Sequence, residues 1–391
     1  MAAIKLFRAA ISSTAAEEEI ESELFVEAMQ MPKLYYNLAS SLAEIGENDE
    51  AEIFFRKTIA LDGSIVEAKS NLAALLIKRG GGHYLEEAVL LCENVLEKDA
   101  FNSPAWFNLQ TGLRQLSRTE EAVERSWEAL FRLTQEVPIQ RTMIVSKVST
   151  PCCSNSDEED LPVIVAVKWG SKYSAHYVNC LFAGVFRNLK QKHRSICFTD
   201  DSDGIDACIE IAPLPQRDDL QGWWYKAYLF SEEASAIIGL NRPILYIDLD
   251  TVVTGELTTL VNVKRDYFGV LSTDSMPSER RNGGMNSSVM TWICGTYGEI
   301  WTELEKNYES IQRIMYKFDG WIETILAKKS IIYLQMELHD SSILDFGQLR
   351  VEMQDSNEIP NACLVTFPLS PKPHEVIDRC DWVRCNWHSV D

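Results

Sequence analysis

Hydrophobic positions follow two different periods along this chain, and the change between them divides it. Up to residue 133 apolar residues recur about four apart, the spacing of one helix face: Leu38 and Leu42, Leu72 and Leu76, Leu109 and Leu113. Beyond residue 160 short apolar runs alternate with helical stretches. Residues 162–167 predict a buried strand, 174–190 a helix with Tyr177, Leu181, Val185 and Leu189 on one face, and 195–199 and 208–211 two more strands. Residues 222–240 then predict a helix, and 244–247 a strand that is apolar except for the Tyr246 hydroxyl. Strands alternating with helices point to a mostly parallel sheet. Between the two regions, residues 134–160 carry Pro138, Pro151, Cys152-Cys153 and an acidic run, which predicts a polar linker. The expected divisions are therefore 1–133, 134–160 and 161–391.

The first third repeats. Asn37-Leu38 recurs as Asn71-Leu72 after 34 residues and as Asn108-Leu109 after a further 37, while Ala51, Ala88 and Ala122 are spaced by 37 and 34. The three extra residues fall at Gly80-Gly81-Gly82, which predicts a longer loop between the two helices of the middle repeat. Tyr35 and Trp106 occupy a large-residue position just before the marker, where the middle repeat has Lys69. Two amphipathic helices per 34 residues is the tetratricopeptide pattern. The region resembles a tetratricopeptide array of three repeats, with a capping helix expected within residues 1–30. That resemblance implies a concave face for an extended peptide or a partner protein. Packing on, or dimerising, the other domain is the competing role.

Composition narrows the classes. A chain of 391 residues exceeds one ordinary domain. A net charge of −21 argues against nucleic acid or an anionic membrane as main partner. No apolar run is long enough for a transmembrane helix, and the N-terminus has no apolar core of a secretory signal. Several of the ten cysteines (Cys92, Cys197, Cys294, Cys363) lie in apolar runs and none form a C-x-x-C pair, which fits reduced thiols in a cytoplasmic protein and no structural zinc.

The segment with most chemistry is Pro243-Ile244-Leu245-Tyr246-Ile247-Asp248-Leu249-Asp250. Residues two apart on an extended strand share a side, so Asp248 and Asp250 sit together where a buried strand ends. In open α/β sheets ligands bind at such strand ends. Two neighbouring carboxylates raise each other's pKa unless a cation lies between them. Hard oxygen donors suit Mg²⁺ or Mn²⁺, which also take oxygens from substrate phosphates. The alternative is a strand-end aspartate that closes the next turn.

Taken together, residues 161–391 resemble a GT-A fold glycosyltransferase, close to family 8 and its glycogenin-like neighbours. The matching pieces come in order: Val167-Lys168-Trp169, Phe198-Thr199-Asp200-Asp201, Gly222-Trp223-Trp224-Tyr225-Lys226, Tyr246 to Asp250, Gly284 to Met290, Phe318-Asp319-Gly320-Trp321 and Phe367 to His374. The implied architecture is α followed by α/β: a tetratricopeptide helical solenoid, then a Rossmann-like mixed, mostly parallel sheet flanked by helices. The resemblance implies a nucleoside diphosphate sugar as donor, most often a uridine one, and a hydroxyl acceptor on a glycan or protein. It places Val167, Trp169 and Tyr173 at the base and ribose, Lys226 at the donor or its diphosphate, and Mn²⁺ or Mg²⁺ on Asp248 and Asp250. Asn286 and Ser287 would face the donor sugar, Asp319 would line it and stabilise the developing cation, and Lys372 would close over the diphosphate.

Each residue also has a plainer role: loop packing for Trp169 and Tyr173, a surface lysine for Lys226, a bulge pair for Asn286 and Ser287, and an N-cap for Asp319. One departure from the family stands out. Its metal-binding histidine six residues before this lysine is Thr366 here, and His374 stands where family 8 has tryptophan. His374 is the nearest imidazole and the expected third metal ligand. The departure motivates a second reading, a non-catalytic tetratricopeptide adaptor with a degenerate nucleotide-sugar domain. A nucleotidyltransferase ranks last, because Lys168-Trp169-Gly170-Ser171-Lys172 makes a poor phosphate loop. Residues 272–283 are expected to form a loop over the site.

Overall fold

Six helices succeed one another in the N-terminal third of the computed structural model, which describes residues 21–134, 161–217, 219–276, 284–315, 317–338, 342–349 and 361–389. They are α1 (Glu21–Glu44), α2 (Asn48–Leu61), α3 (Val66–Arg79), α4 (Gly82–Lys98), α5 (Ser103–Gln115) and α6 (Thr119–Thr134). Each successive pair is one repeat. The marker leucines and alanines, from Leu38 and Ala51 to Leu113 and Ala122, are buried where the helices meet. The recurring asparagine reaches back one repeat: Asn71 Nδ2 donates to Tyr36 Oη at 3.5 Å and Asn108 Nδ2 to the Ser70 carbonyl at 2.9 Å. Three ion pairs tie α4 to its neighbours, Arg56–Glu87 at 2.5 Å, Arg118–Glu86 at 3.0 Å and Arg125–Glu93 at 2.8 Å.

The three extra residues of the middle repeat do not lengthen a loop. α4 begins six residues before Ala88, whereas α2 and α6 begin three before Ala51 and Ala122. The insertion adds nearly one turn to the start of α4. Gly80 and Gly81, at φ 71° and 89°, make the tight connection possible, a backbone that side chains with a Cβ rarely adopt. The capping helix expected within residues 1–30 falls partly outside the described residues; α1 starts at Glu21 and continues as the first helix of the first repeat. The expected linker lies almost wholly outside them.

The chain divides into two compact units, the first Met1–Ala129 with Arg313–Tyr316 and the second Leu130–Gln312 with Lys317–Asp391, so that the last two residues of the helix Glu299–Ile314 group with the first. The second holds β1 (Val163–Lys168), α7 (Ala175–Asn188), β2 (Arg194–Thr199), β3 (Glu210–Pro213), a 3-10 helix (Gly222–Phe230), α8 (Glu232–Ile238), β4 (Pro243–Ile247), β5 (Thr251–Val253) and α9 (Thr258–Val261). It continues with β6 (Phe268–Ser272), β7 (Met285–Ile293), α10 (Glu299–Ile314), α11 (Phe318–Ile325), β8 (Ile331–Tyr333), α12 (Leu334–Glu337), β9 (Ile343–Asp345), β10 (Leu364–Thr366), α13 (Pro373–Val376) and α14 (Asp381–Asn386). The main sheet has the order β3-β2-β1-β4-β7-β6-β8, and β5-β10-β9 form a second, smaller sheet. β3, β2, β1 and β4 are parallel, β7 runs against both β4 and β6, and β8 is parallel to β6. The fold is thus tetratricopeptide-like helices followed by a Rossmann-like mixed sheet flanked by helices.

β1 and β4 are buried along their whole length, as expected for central parallel strands. One core cluster joins α7, the strands and the C-terminal helices through Phe182, Phe346, Phe367, Trp382 and Trp387. Gly184 lets α7 lie against β5, since a Cβ there would stand 2.9 Å from Val253 Cβ. The single helix predicted over 222–240 is two elements. Ser231 breaks it: its hydroxyl accepts from Ala234 N–H at 3.0 Å and caps α8, leaving the aromatic stretch before it as a 3-10 helix. β3 starts two residues later than the strand predicted at 208.

Candidate active site

The sheet directions gather one end of many strands. β1, β2, β4 and β6 end there, and because β7 is antiparallel its first residues, Met285 to Ser288, arrive at the same edge. The edge therefore carries Lys168 and Trp169 after β1, Asp248 and Asp250 after β4, and Asn286 and Ser287 at the start of β7.

The two aspartates stand apart from any turn-closing role. The turn after β4 closes through the backbone, with Thr251 N–H donating to the Asp248 carbonyl at 3.2 Å. The Asp248 carboxylate instead takes Lys226 Nζ at 2.8 Å on Oδ1 and 2.9 Å on Oδ2, and the Tyr246 hydroxyl at 2.5 Å. Asp250 Oδ2 accepts from Lys372 Nζ at 2.6 Å and from the Tyr173 hydroxyl at 2.7 Å. Lys226, expected otherwise on a surface helix, is buried and also donates to Ser287 Oγ at 3.1 Å and to its carbonyl at 3.3 Å. Lys372 further donates to the Phe367 carbonyl at 2.6 Å, which fastens the segment after β10 to the site. The Asp250 carbonyl accepts from Phe367 N–H at 3.2 Å from the same segment.

Burial pushes the Asp248 carboxyl above the usual range and Asp250 adds to the effect, while Lys226 opposes both. Burial, then the Asp248 charge, lifts the Tyr246 hydroxyl far above its usual value; burial, then Asp250, does the same for Tyr173. Tyr177 is pushed up to about 12 by burial and the Asp250 charge. All three stay neutral phenols, and Tyr246 and Tyr173 donate to the two carboxylates. The group is two carboxylates answered by two ammonium groups, the balance that makes buried charge tolerable.

Hard carboxylate oxygens in a region that resists bare negative charge fit a divalent cation in donor chemistry. Such an ion is commonly held by one or two carboxylates plus substrate phosphates and water. His374 is not grouped with the pair. Its Nδ1 hydrogen-bonds the Tyr177 hydroxyl, its ring lies 5.8 Å from that of Tyr177, and among the described residues no three His, Cys, Asp or Glu side chains are placed to hold a metal.

The remaining predicted residues are spread along the edge. Val167 is buried at the end of β1. Trp169 stacks on Tyr225, centroids 6.2 Å apart, and Gly222 at φ 63° lies close beneath it. Asn286 Oδ1 accepts from Ser288 N–H at 2.9 Å within a register shift of β7 against β6, so the bulge reading of this pair is also present. Asp319 is buried, and its Oδ1 accepts from Ser287 N–H at 2.9 Å. The N-cap of α11 is Lys317 rather than Asp319. Tyr246, Tyr177, Tyr225 and Glu323 were not singled out from sequence. For Tyr246 the signal was there: it lies two residues before Asp248 on the same side of the strand and is the one polar group in an apolar run. Glu323 and Tyr177 meet the site only through the fold.

Fold and site together define a two-part chain, a tetratricopeptide-like stack and a Rossmann-like domain with a charged strand-end site. No family model matches the chain, and no curated protein matches it. Among solved structures it is similar to MamA, with 20% identity and a TM-score of 0.25 over 27% of this chain and 60% of MamA. It is similar to the glycosyltransferase GlyE of Streptococcus pneumoniae TIGR4, with 13% identity and a TM-score of 0.40 over 55% of this chain and 56% of GlyE. It is also similar to an active-site mutant of LgtC, with 13% identity and a TM-score of 0.36 over 54% of this chain and 89% of that one. The chain thus spans less than two thirds of this MamA structure and of this GlyE structure. No helix among the described residues is long and apolar enough to cross a membrane.

Proposed function

We propose that the second unit is a glycosyltransferase that uses Mn²⁺ or Mg²⁺ and moves a sugar from a nucleoside diphosphate sugar to a hydroxyl acceptor. The observation that carries this reading is the carboxylate pair at the sheet edge, Asp248 half-buried and Asp250 buried, each balanced by a lysine from a different segment, Lys226 and Lys372. A diphosphate and a divalent cation bring the same charges as that cluster, two positive and two negative, so the donor enters without leaving a charge uncompensated. When bound, the cation would rest on Asp248 and Asp250 and neutralise the departing diphosphate. Lys226 and Lys372 supply ammonium groups to the phosphate oxygens. Trp169, beside Val167 and with Tyr225 on its face, offers an aromatic surface to the base. The uridine preference, and recruitment of a protein acceptor by the repeats, rest on the family resemblance alone.

A specific feature favours a second reading, a nucleotide-sugar-binding adaptor without turnover. Thr366 is buried, and its hydroxyl donates to the Leu344 carbonyl at 3.3 Å inside the small sheet. It offers the site nothing in place of the imidazole. Calorimetric titration of UDP with Mn²⁺, with Mg²⁺ and with EDTA, on wild type and Asp250→Ala, tests the binding claim common to both readings. Metal-dependent binding lost in Asp250→Ala is expected; binding that ignores metal and the substitution contradicts the assignment.

A further inference from the structure

On its β4 side β7 loses its strand partner where it enters the site: the ladder ends with Ile247 opposite Val289, and Asp248 N–H adds one last bond to the Ser288 carbonyl at 2.8 Å. On the other side β6 shifts register across residues 287–289 and then still pairs Leu271 with Asn286 and Ser272 with Met285. The N–H groups of Met285 and Ser287 are nonetheless satisfied. Glu323 Oε1 accepts from Met285 N–H at 2.5 Å and Asp319 Oδ1 from Ser287 N–H at 2.9 Å. The two acids are four apart on α11, hence on one helix face, and the two amides are two apart on β7, hence on one strand edge. Helix periodicity thus matches strand periodicity, and the pair of carboxylates takes the place of a missing strand. All four residues are buried.

From Ser287 the contacts lead directly into the charged cluster. Its carbonyl and hydroxyl both accept from Lys226, and Lys226 pairs with Asp248. Resting on the function proposed above, we infer that Asp319 is a positioning residue: through Ser287 it holds Lys226 and so fixes the Asp248 carboxylate for the cation and diphosphate. Glu323 anchors the same strand one turn on. This assigns Asp319 a role different from stabilising a sugar cation by its own charge. What it supplies is a hydrogen-bond acceptor, which an asparagine oxygen also supplies.

The test compares Asp319→Asn with Asp319→Ala in the full chain. Amide exchange over residues 284–288 is expected to stay near wild type in the Asn variant and to accelerate in the Ala variant. Metal-dependent hydrolysis of UDP-sugars is expected to fall less than about tenfold in Asn and far more in Ala, mainly through weaker Mn²⁺ binding. Unchanged exchange in Ala overturns the clamp. An Asn variant with wild-type exchange but turnover lost a hundredfold overturns the positioning role, since the charge itself would then be acting. If Asp319→Ala does not fold, the Asn variant alone decides. If wild type hydrolyses no donor, the proposed function fails while the exchange result still judges the clamp.

Discussion

The helical unit and the sheet unit both use Arg or Lys paired with Asp or Glu, but they place the pairs in different surroundings. In the helices the partners are largely open to water: the side chains of Arg56 and Glu87 are 41% and 26% exposed. In the sheet unit those of Lys372 and Asp250 are 16% and 10% exposed. Exposed pairs contribute little and can be lost cheaply. Buried pairs carry a large desolvation cost, and removal of one partner strands a charge. A fold that needs only register can use the first kind. Retention of two pairs of the second kind side by side marks the sheet edge as a place where charge has work to do.

Substitutions break or sharpen this contrast. Asp250→Ala should have the largest effect. It strands Lys372 and the Tyr173 hydroxyl, with an expected cost of about 3 kcal/mol in chemical denaturation and loss of metal-dependent nucleotide binding. If Asp250→Ala is no less stable than wild type, the pair is not the buried, mutually dependent unit described. Lys372→Met comes next. It removes the ammonium that occupies Asp250 Oδ2, so Mn²⁺ should bind more tightly, by roughly tenfold, or about 1.4 kcal/mol, while UDP binds more weakly. Tighter metal with weaker nucleotide is the signature to seek by calorimetry; a fall in both would show that Lys372 supports the metal instead of competing with it.

The smallest effect is expected at the helices. A hydrogen bond from Arg56 lowers the Glu87 carboxyl below its ordinary 4.5. A depressed acid stabilises the fold above its unfolded pKa and loses that contribution as pH falls through the folded value. Glu87→Gln should therefore lower stability by at most about 1 kcal/mol near neutrality, and the gap to wild type should close below pH 4.5. Thermal melts across that range check it. A larger gap, or one that persists in acid, would remove the contrast between the two kinds of pair.

Much of this was legible beforehand, for physical reasons. The marker leucines and alanines repeat because each repeat buries the same face, and β1 and β4 announce themselves as apolar runs closed by polar residues. The Asp pair is legible as two carboxylates at the end of an apolar strand, although both lie just past β4, in the turn that Thr251 N–H closes on the Asp248 carbonyl, and not on the extended strand that alternation assumes. Other features depend on contacts distant in sequence. That β7 runs antiparallel, and so delivers Ser287 to the site, is written in no local pattern. Nor is the match of Asp319 and Glu323 to two amides of another element. Gly80-Gly81-Gly82 suggest a loop, although the last of them begins α4. Ser231 followed by Glu232 and Glu233 is a readable cap inside the stretch 222–240 that the pattern predicts as one helix.

We propose that the charge cluster at the end of β4 handles a nucleoside diphosphate sugar with a divalent cation. Release of sugar from a panel of nucleotide sugars, with Mn²⁺, Mg²⁺ or EDTA, in wild type and Asp250→Ala, tests it most directly. Metal-dependent release from one donor, absent with EDTA and in the variant, is expected. Equal release in the variant, or no release together with no metal-dependent binding of any donor, would contradict it.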